Sequence, residues 1–312
     1  FDNMVLLREE EHQALLEPIP FRPRPAPPVI VDRAKPDRKD ALVYLGDIYS
    51  GPGLKDVPRG SVKSLRLFTY HFGYQTLAGI DHRVGADGPW EAKRVLGTVP
   101  VEADGSAWFR VPAKTPISVQ PLDAEGKALA LMRSWMTAMP GENLSCVGCH
   151  EKSSDAPPVR QELALARGPS EIKPWHGSTR GFSFTREVQP VLDQHCVGCH
   201  NGQPWKQGPP LADLRADQGG FVVYQHGKID GQFIRGASRE DLLGKYGAVF
   251  DPAYVVLRQY VRVGGLESDL HLLPPKEFHA DTSELIQMLQ KGHHNVQLDA
   301  NAWDRLITWI DL

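Results

Sequence analysis

The chain has 312 residues, of which 35 are Lys or Arg and 38 are Asp or Glu, so its formal net charge is −3. This near balance excludes a protein that binds nucleic acid through a general basic surface, because such binding needs an excess of Lys and Arg. Its 41% hydrophobic and 23% charged residues are typical of a globular protein with room for two domains. Apolar runs are only a few residues long, so no transmembrane segment is predicted.

Residues 1–40 are predicted to form a proline-rich arm that belongs to the tail of a preceding domain. The prolines concentrate between residues 18 and 36. Because proline fixes φ and lacks an amide hydrogen, this composition favours an extended strap between domains. A polyproline segment that binds a partner is the alternative.

Short β-rich runs with intervening turn residues follow between residues 41 and 136. Acidic residues followed by glycine at 102–105 and 123–126 are typical of hairpin turns. Six strands at this spacing predict an antiparallel β-sandwich domain over residues 41–150. The predicted strands are 41–48, 62–74, 95–101, 106–112, 117–122 and 128–135.

The four cysteines lie in two copies of Cys-Val-Gly-Cys-His, at 146–150 and 196–200. Cys-x-x-Cys-His is the attachment signal for a c-type haem, since two thiols one turn apart can bond one porphyrin and the next histidine can bind its iron. Zinc ribbons usually space their cysteine pairs by about 15–20 residues, less than the spacing here, and need no histidine after each pair. A thioredoxin-like site would use one motif in a βαβ unit. We predict two covalent haems c and no disulfide, with the cofactor bound by Cys146, Cys149, His150, Cys196, Cys199 and His200.

Helical patterns dominate after residue 183. Residues 151–182 resemble a connector with one short helix near 159–167, and a helix from Ser183 is predicted to run into the second motif. Further helices are predicted at 239–246, 252–262, 283–291 and 299–312, with capping residues at 281–284 and at Gly292. Residues 183–312 thus resemble a small, mainly α-helical cytochrome c domain. The predicted fold class is mixed α+β, with one haem on the sandwich and one on this domain.

The remaining iron ligands are sought among the other histidines and methionines. In the cytochrome c fold the distal ligand comes from the loop before the last helix, and this loop contains His293 and His294. We predict that His200 and His293 bind the second iron, with His294, His279 or Met288 as alternatives. For the first iron, an open or water-bound sixth position is the leading alternative, and the protein ligands to consider are His71, His82, Met136 and Met139.

Five sequence runs resemble one known family: YLGDIYSGPGL at 44–54, GTVPVEADGS at 97–106, MRSW at 132–135, FHADTS at 278–283 and GHHNV at 292–296. They resemble the hydrazine synthase α-subunit-like family of multihaem proteins, and the likeness covers essentially the whole chain. The resemblance implies a preceding β-propeller whose last blade ends at residues 1–7, a first haem that can be catalytic and a second haem that transfers electrons. In hydrazine synthases a tyrosine four residues after the first motif histidine is a haem ligand, whereas this chain has Ser154 there.

Three functions agree with these patterns. The first is a dihaem c-type cytochrome that transfers electrons to redox partner proteins or to other subunits of a larger multihaem complex. The second is a hydrazine synthase-like haem oxidoreductase that acts on a small nitrogen compound at an open first haem. The third is a structural docking module. The sixth ligand of the first haem separates electron transfer from enzymatic chemistry.

Covalent haem attachment and thiols reserved for it indicate maturation on the oxidising side of a bacterial membrane. We therefore expect a periplasmic or equivalent compartment. Because the sequence starts at Phe1 without a methionine, we interpret it as a fragment or a processed product, and the missing signal peptide gives no evidence on compartment.

Overall fold

A computed structural model describes residues 6–16, 19, 21–23, 25–26, 28–29, 34–72, 85–86, 91–152, 154–156, 160–204, 208–224, 231–246, 248–262 and 273–312. The chain divides into two units, 1–33 and 34–312. In the smaller unit the described residues form neither helix nor strand. The predicted domain boundaries at residues 40, 150 and 182 all lie inside the larger unit and stay predictions.

The first half of the larger unit folds into two three-stranded sheets, with strand orders β4-β1-β6 and β3-β2-β5. Burial alternates along β1 and β4, so one face of their sheet is apolar. That face shares one hydrophobic core with the other sheet, since Val43 and Phe109 cluster with Leu65, Val99 and Ile117. The strands are β1 Asp40–Leu45, β2 Ser64–Phe72, β3 Glu91–Pro100, β4 Ala107–Pro112, β5 Ile117–Leu122 and β6 Asn143–Cys146.

The sixth strand differs from the prediction. Residues 128–135 form no strand, and Ala128 and Met136 at its margins make only isolated bridges. β6 takes the place beside β1 and runs parallel to it, so the predicted purely antiparallel arrangement is wrong. Its sequence, Asn-Leu-Ser-Cys, lacks β-branched and aromatic residues, so propensity gave no signal for this strand.

One of the two predicted hairpins is also wrong. Residues 102–105 do form a tight turn, closed by the bond from Gly105 N to Glu102 O. However, the turn joins β3 in one sheet to β4 in the other, so it is a crossover between sheets. A turn signal specifies a local reversal of the chain but not which strands pair.

The mixed α and β class is confirmed, and the described α-helices lie within the ranges predicted as helical. Two short 3-10 helices, Pro52–Leu54 and Ala280–Thr282, were not predicted. Asp299 caps the last helix by accepting a hydrogen bond from Ala302 N at 2.7 Å, and Gly292 ends the preceding helix with φ 93°. In the described residues no helix is long and apolar enough to span a bilayer. The helices are α1 Leu163–Arg167, α2 Phe184–Glu187, α3 Gln189–His195, α4 Arg239–Leu243, α5 Pro252–Arg258, α6 Glu284–Lys291 and α7 Ala300–Asp311.

A third sheet lies within the segment predicted to be mainly helical. Its strands are β7 Gly220–Tyr224, β8 Gln232–Arg235 and β9 Ala248–Phe250, with β7 in the middle. Each is five residues or shorter, and the apolar run in β7 is too short to distinguish a strand from a buried turn. The second half is therefore mixed rather than mainly α-helical.

A buried polar cluster connects α7 to the sheet β3-β2-β5. Arg66 on β2 is 1% exposed and donates to Gln120 Oε1 at 2.6 Å and to Thr308 Oγ1 at 2.9 Å. Its guanidinium also lies 3.8 Å from the carboxylate of Asp311. We call these four residues the Arg66–Asp311 network. It ties the β-rich half to the last helix within one unit.

Candidate functional site

The first predicted haem motif begins at the end of β6, where the parallel register places Cys146 beside Leu45. Beyond this pair, residues 147–150 run alongside residues 46–53, which continue from β1. We call residues 46–53 the glycine cradle. Four backbone hydrogen bonds join the two segments: Gly46 N to Cys146 O (2.9 Å), Asp47 N to Val147 O (3.1 Å), Cys149 N to Ser50 O (2.8 Å) and Gly53 N to Cys149 O (3.2 Å).

Side chains fix the cradle from its outer side. The carboxylate of Asp47 is mostly buried and accepts hydrogen bonds from Tyr49 N at 3.1 Å and from Arg59 Nη1 at 3.0 Å. Arg160, from the segment after the first motif, donates to Gly46 O at 3.0 Å. The cradle is thus a defined loop structure, since both its backbone and its one buried carboxylate are hydrogen-bonded.

Cys146 and Cys149 are unpaired and half-buried, and both pack against the core that the two sheets share. Burial, with a smaller effect of the Glu151 carboxylate, raises the pKa of each thiol to about 11. His150 is exposed and has φ 63°, a left-handed conformation that is uncommon for a residue other than glycine. Gly148 N donates to Glu151 Oε2 at 2.7 Å and closes the turn around the histidine.

The residues considered as second ligands of the first iron lie on other parts of the β-rich half. His71 is exposed near the end of β2, and its backbone pairs with Ala92. Met136 packs against the core, and Met139 is exposed. His82 lies outside the described residues. Ser154, at the position of the family's tyrosine ligand, is exposed.

The second predicted haem motif continues directly from α3. Helix-like bonds from Cys196 N to Leu192 O (2.8 Å) and from His200 N to Cys196 O (2.9 Å) carry the chain one turn further. Cys196 and Val197 pack against the helical core, which anchors this turn. Burial, followed by the neighbouring Cys199, raises the pKa of the Cys196 thiol to about 11. Cys196, Cys199 and His200 therefore lie within one further turn that continues α3.

The histidine of the second motif faces the loop between α6 and α7. The ring centres of His200 and His293 are 5.9 Å apart, and the ring planes differ by 27°. The ring of His294 contacts that of His293 edge to face, at 4.8 Å. The left-handed residues His294 and Asn295, with φ 47° and 61°, turn the loop so that His293 is presented towards His200. In the described part of the chain, ring contacts thus connect three of the predicted iron ligands, His200, His293 and His294. None of these ring contacts involves His150.

Two further features favour metal binding by this histidine pair. Burial, then the charges of His294 and His200, lowers the pKa of His293, which favours the neutral ring that binds metals. Nδ1 of His200 is buried and has no hydrogen-bond partner in the described structure. Two imidazoles on opposite sides of one metal, each with a bond of about 2 Å, have ring centres roughly 6 Å apart. The ring-centre distance of His200 and His293, 5.9 Å, matches this spacing.

His279 and Met288 are placed elsewhere. His279 is 6% exposed and lies beside the Arg66–Asp311 network, with Nδ1 3.9 Å from Asp311 Oδ1, too far for a hydrogen bond. Burial, with the positive charges of Arg66 and Lys93, lowers its pKa to about 4. Met288 packs against the helical core from α6. His293 lies in the loop between α6 and α7 that faces His200, whereas His279 lies beside the Arg66–Asp311 network.

No cluster of three or more His, Cys, Asp or Glu in the described ranges has the arrangement of a metal-ion site. The sequence did contain a signal for the glycine cradle, namely the glycine-rich run at 44–54. From the sequence this run indicates only a family resemblance. No local pattern shows that its loop pairs with a motif about a hundred residues further along the chain.

Comparison with known proteins gives a match to a family model and matches among solved structures. Residues 60–151 match the family model of the hydrazine synthase alpha subunit middle domain. Among solved structures, a chain of Kuenenia stuttgartiensis hydrazine synthase shares the fold with a TM-score of 0.50 and 19% sequence identity, over 88% of this chain and 42% of that chain. The chain thus spans less than half the length of the chain it matches. No curated protein matches.

Proposed function

We propose that this hydrazine synthase α-subunit-like chain, whose family resemblance these matches confirm, is a dihaem c-type cytochrome that transfers electrons. The observation that carries the proposal is the His200–His293 pair, 5.9 Å apart, directly after a Cys-x-x-Cys turn. A haem bound there would supply a one-electron redox centre. The electron partner is proposed to be another subunit or a redox protein in a larger assembly.

In the second site each residue has a role that follows from its position. Cys196 and Cys199 would hold the cofactor covalently at the end of α3, and His200 and His293 would be the two axial ligands. Both histidines adjoin segments that pack on one helical core, since Cys196 and Val197 precede His200, and Leu289 and Leu298 lie on either side of the His293 loop. This common core would hold the two histidines at a fixed separation. A fixed ligand pair favours electron transfer, since little rearrangement is needed between oxidation states.

The first site supports a second candidate function. Cys146, Cys149 and His150 would bind a haem at the edge of the β-rich half, and exposed His150 and Ser154 leave this edge open to solvent. An open iron position there would admit a small nitrogen compound, as in a hydrazine synthase-like oxidoreductase. Ser154 replaces the tyrosine ligand of the family, so hydrazine synthesis itself would need another ligand.

The compartment and the assembly follow from the same proposal. Covalent haem attachment requires export of reduced thiols, which is the basis for proposing the periplasm or an equivalent compartment. The matched hydrazine synthase chain is more than twice as long as the aligned region, so other segments or subunits are expected beside this one. A mainly structural docking role would apply if both haems were six-coordinate and exchanged no electrons with a partner.

Substitution of the loop histidines tests the second site. The chain produced with a cytochrome c maturation system should carry two haems by intact mass and by haem staining after denaturing electrophoresis. His293→Ala should convert one haem from low spin to high spin in the electron paramagnetic resonance spectrum, because the iron loses an axial imidazole. His294→Ala is the matched control and should leave the low-spin signal of the second haem unchanged.

The result would contradict the assignment if His293→Ala left the spectrum unchanged while His294→Ala or His279→Ala altered it. A single haem, or bound zinc, would contradict the dihaem proposal as a whole.

Carbon monoxide distinguishes the two candidate functions at the first site. Binding to one of two haems in the dithionite-reduced protein is expected if the iron next to His150 has an open position. The binding should persist in His294→Ala, which leaves the first site untouched. Two low-spin signals and no carbon monoxide binding would leave electron transfer as the function and argue against chemistry at the first haem.

A further inference from the structure

Glycines occupy the places where the cradle touches the first motif. Gly51 has φ 87°, and a Cβ there would overlap the carbonyl oxygen of Cys149. A Cβ on Gly148 would likewise overlap the carbonyl of Ser50. The two backbones therefore approach each other more closely than any side chain would allow.

Gly53 makes the contact with the reactive part of the motif. A Cβ at this position would overlap the Cys149 Sγ atom and would lie 3.1 Å from both the Cβ and the carbonyl oxygen of Cys149. Gly53 has no positive φ, so its backbone does not require glycine. The space taken by the sulfur is the reason that position 53 has no side chain.

The corresponding glycine of the second motif lies in open space. A Cβ at Gly198, inside that motif, would meet no atom within 4 Å. The second motif is held by the helical bonds that continue α3, and its thiols need no loop against them. The glycine cradle thus packs against the first motif.

We infer that Gly53 is a positioning residue for the first haem, which seats the sulfur of Cys149 and thereby fixes the orientation of His150. This inference rests on the proposed covalent haem at residues 146–150. Thioether formation adds the S–H group across a porphyrin vinyl group, with a new S–C bond and the hydrogen on the other vinyl carbon. The sulfur remains part of the Cys149 side chain after this addition, and the inference is that it keeps its place against Gly53.

Gly53→Ala is the direct test, in the matured protein with both haems attached. The methyl group should displace the Cys149 sulfur, so the absorption and spin-state signals of the first haem should shift while those of the second haem stay the same. Gly244→Ala is the matched control, because Gly244 has φ −70° and a Cβ there would meet only ordinary contacts at 3.8 Å and beyond.

A double-substitution cycle separates seating of the sulfur from a general loss of stability. If the overlap is with Sγ, the effect of Gly53→Ala should be clearly smaller in a Cys149→Ala background, because only the two contacts at 3.1 Å, to the Cβ and carbonyl oxygen of residue 149, remain. The readouts are the first-haem spectrum and the denaturation midpoint. Where a variant accumulates without haem, the same cycle is measured by denaturation of the reduced apoprotein, which contains the same contact.

An equal effect of Gly53→Ala in both backgrounds, or no effect in either, would overturn the inference. Failure of the proposed function gives a different result. If Cys146 and Cys149 of the denatured parent protein both react with iodoacetamide, the first motif carries no haem, and the proposed function fails at this site whatever Gly53 does.

Discussion

His279 lies where burial and two positive charges act on the same imidazole. Burial has the largest effect, Arg66 and Lys93 add to it, and together they lower the pKa of His279 from 6.5 to about 4. The nearby carboxyl group of Asp311 has the opposite shift, because burial raises its pKa to about 6 despite the lowering effects of Arg66 and of the Ala280 and Ala128 amides. The two groups therefore affect stability in opposite directions as the pH falls.

Replacement of His279 isolates its share of this pH dependence. In the parent, the unfolded state takes up a proton near pH 6.5, whereas the folded state does so only near pH 4, so folding stability is lost over this interval as the pH falls. His279→Gln removes this loss. Its stability relative to the parent should rise by about 1.4 kcal/mol for each pH unit of acidification in this interval. Urea denaturation at several pH values measures it, and a constant difference between the two proteins would contradict the assignment.

At this scale the loop before the last helix, with two histidines and no methionine, predicts His293 as a ligand. The structure places the His293 ring near that of His200, with ring centres 5.9 Å apart, and the ligand role stays a prediction. The same composition could not exclude His279, since its burial beside Arg66 depends on contacts between residues far apart in sequence. The contact of Gly53 could not be predicted either, because the sulfur atom that it accommodates belongs to Cys149, far away in sequence.

Among the elements, α7 depends on one capping side chain. Asp299 Oδ1 accepts a hydrogen bond from Ala302 N at 2.7 Å, and the helix that follows contributes Thr308 and Asp311 to the Arg66–Asp311 network. Asp299→Ala should therefore lower the free energy of unfolding by about 1 kcal/mol. Asp299→Ser keeps an acceptor at the cap and should retain most of the stability. Equal losses in chemical denaturation for both variants would contradict a capping role.

Helices and long strands were predictable from local patterns, whereas short strands were not. The amphipathic run of α7 and the apolar runs of β2 and β5 carry their own signals, and they occur where expected. β6 forms because it pairs with the edge of β1. Its residues Asn143 and Ser145 have low strand propensity and give no local signal for a strand. The third sheet has the same origin, since its strands β8 and β9 are held by β7 rather than by their own propensity.

At the scale of the whole molecule, the β-rich half and α7 should unfold together, because the Arg66–Asp311 network connects them. Asp311→Asn leaves the buried guanidinium of Arg66 without its closest charge partner and offers one acceptor oxygen where Ala128 N and Ala280 N now find two. Removal of one partner of a buried ion pair costs about 3–5 kcal/mol. Asp37→Asn, at an exposed position, is the control and should have little effect.

Two probes measure this coupling. In the parent, far-ultraviolet circular dichroism and tryptophan fluorescence should give the same denaturation midpoint, as expected for one cooperative unit. Asp311→Asn should lower that midpoint. Separate midpoints in the parent, or an unchanged midpoint in the variant, would show that the network does not hold the halves together.

The bond between Arg66 and Thr308 spans 242 residues, and both Cys-x-x-Cys-His segments lie between its ends. Contacts of such long range form late in folding, because a large loop must close first. Until then the four thiols belong to an open chain, where a cysteine has a pKa of about 8.5 and reacts readily. After closure, burial has raised the pKa of Cys146, Cys149 and Cys196 to about 11. Reactions that need a thiolate at Cys146, Cys149 or Cys196 are therefore favoured in the unfolded chain over the folded one.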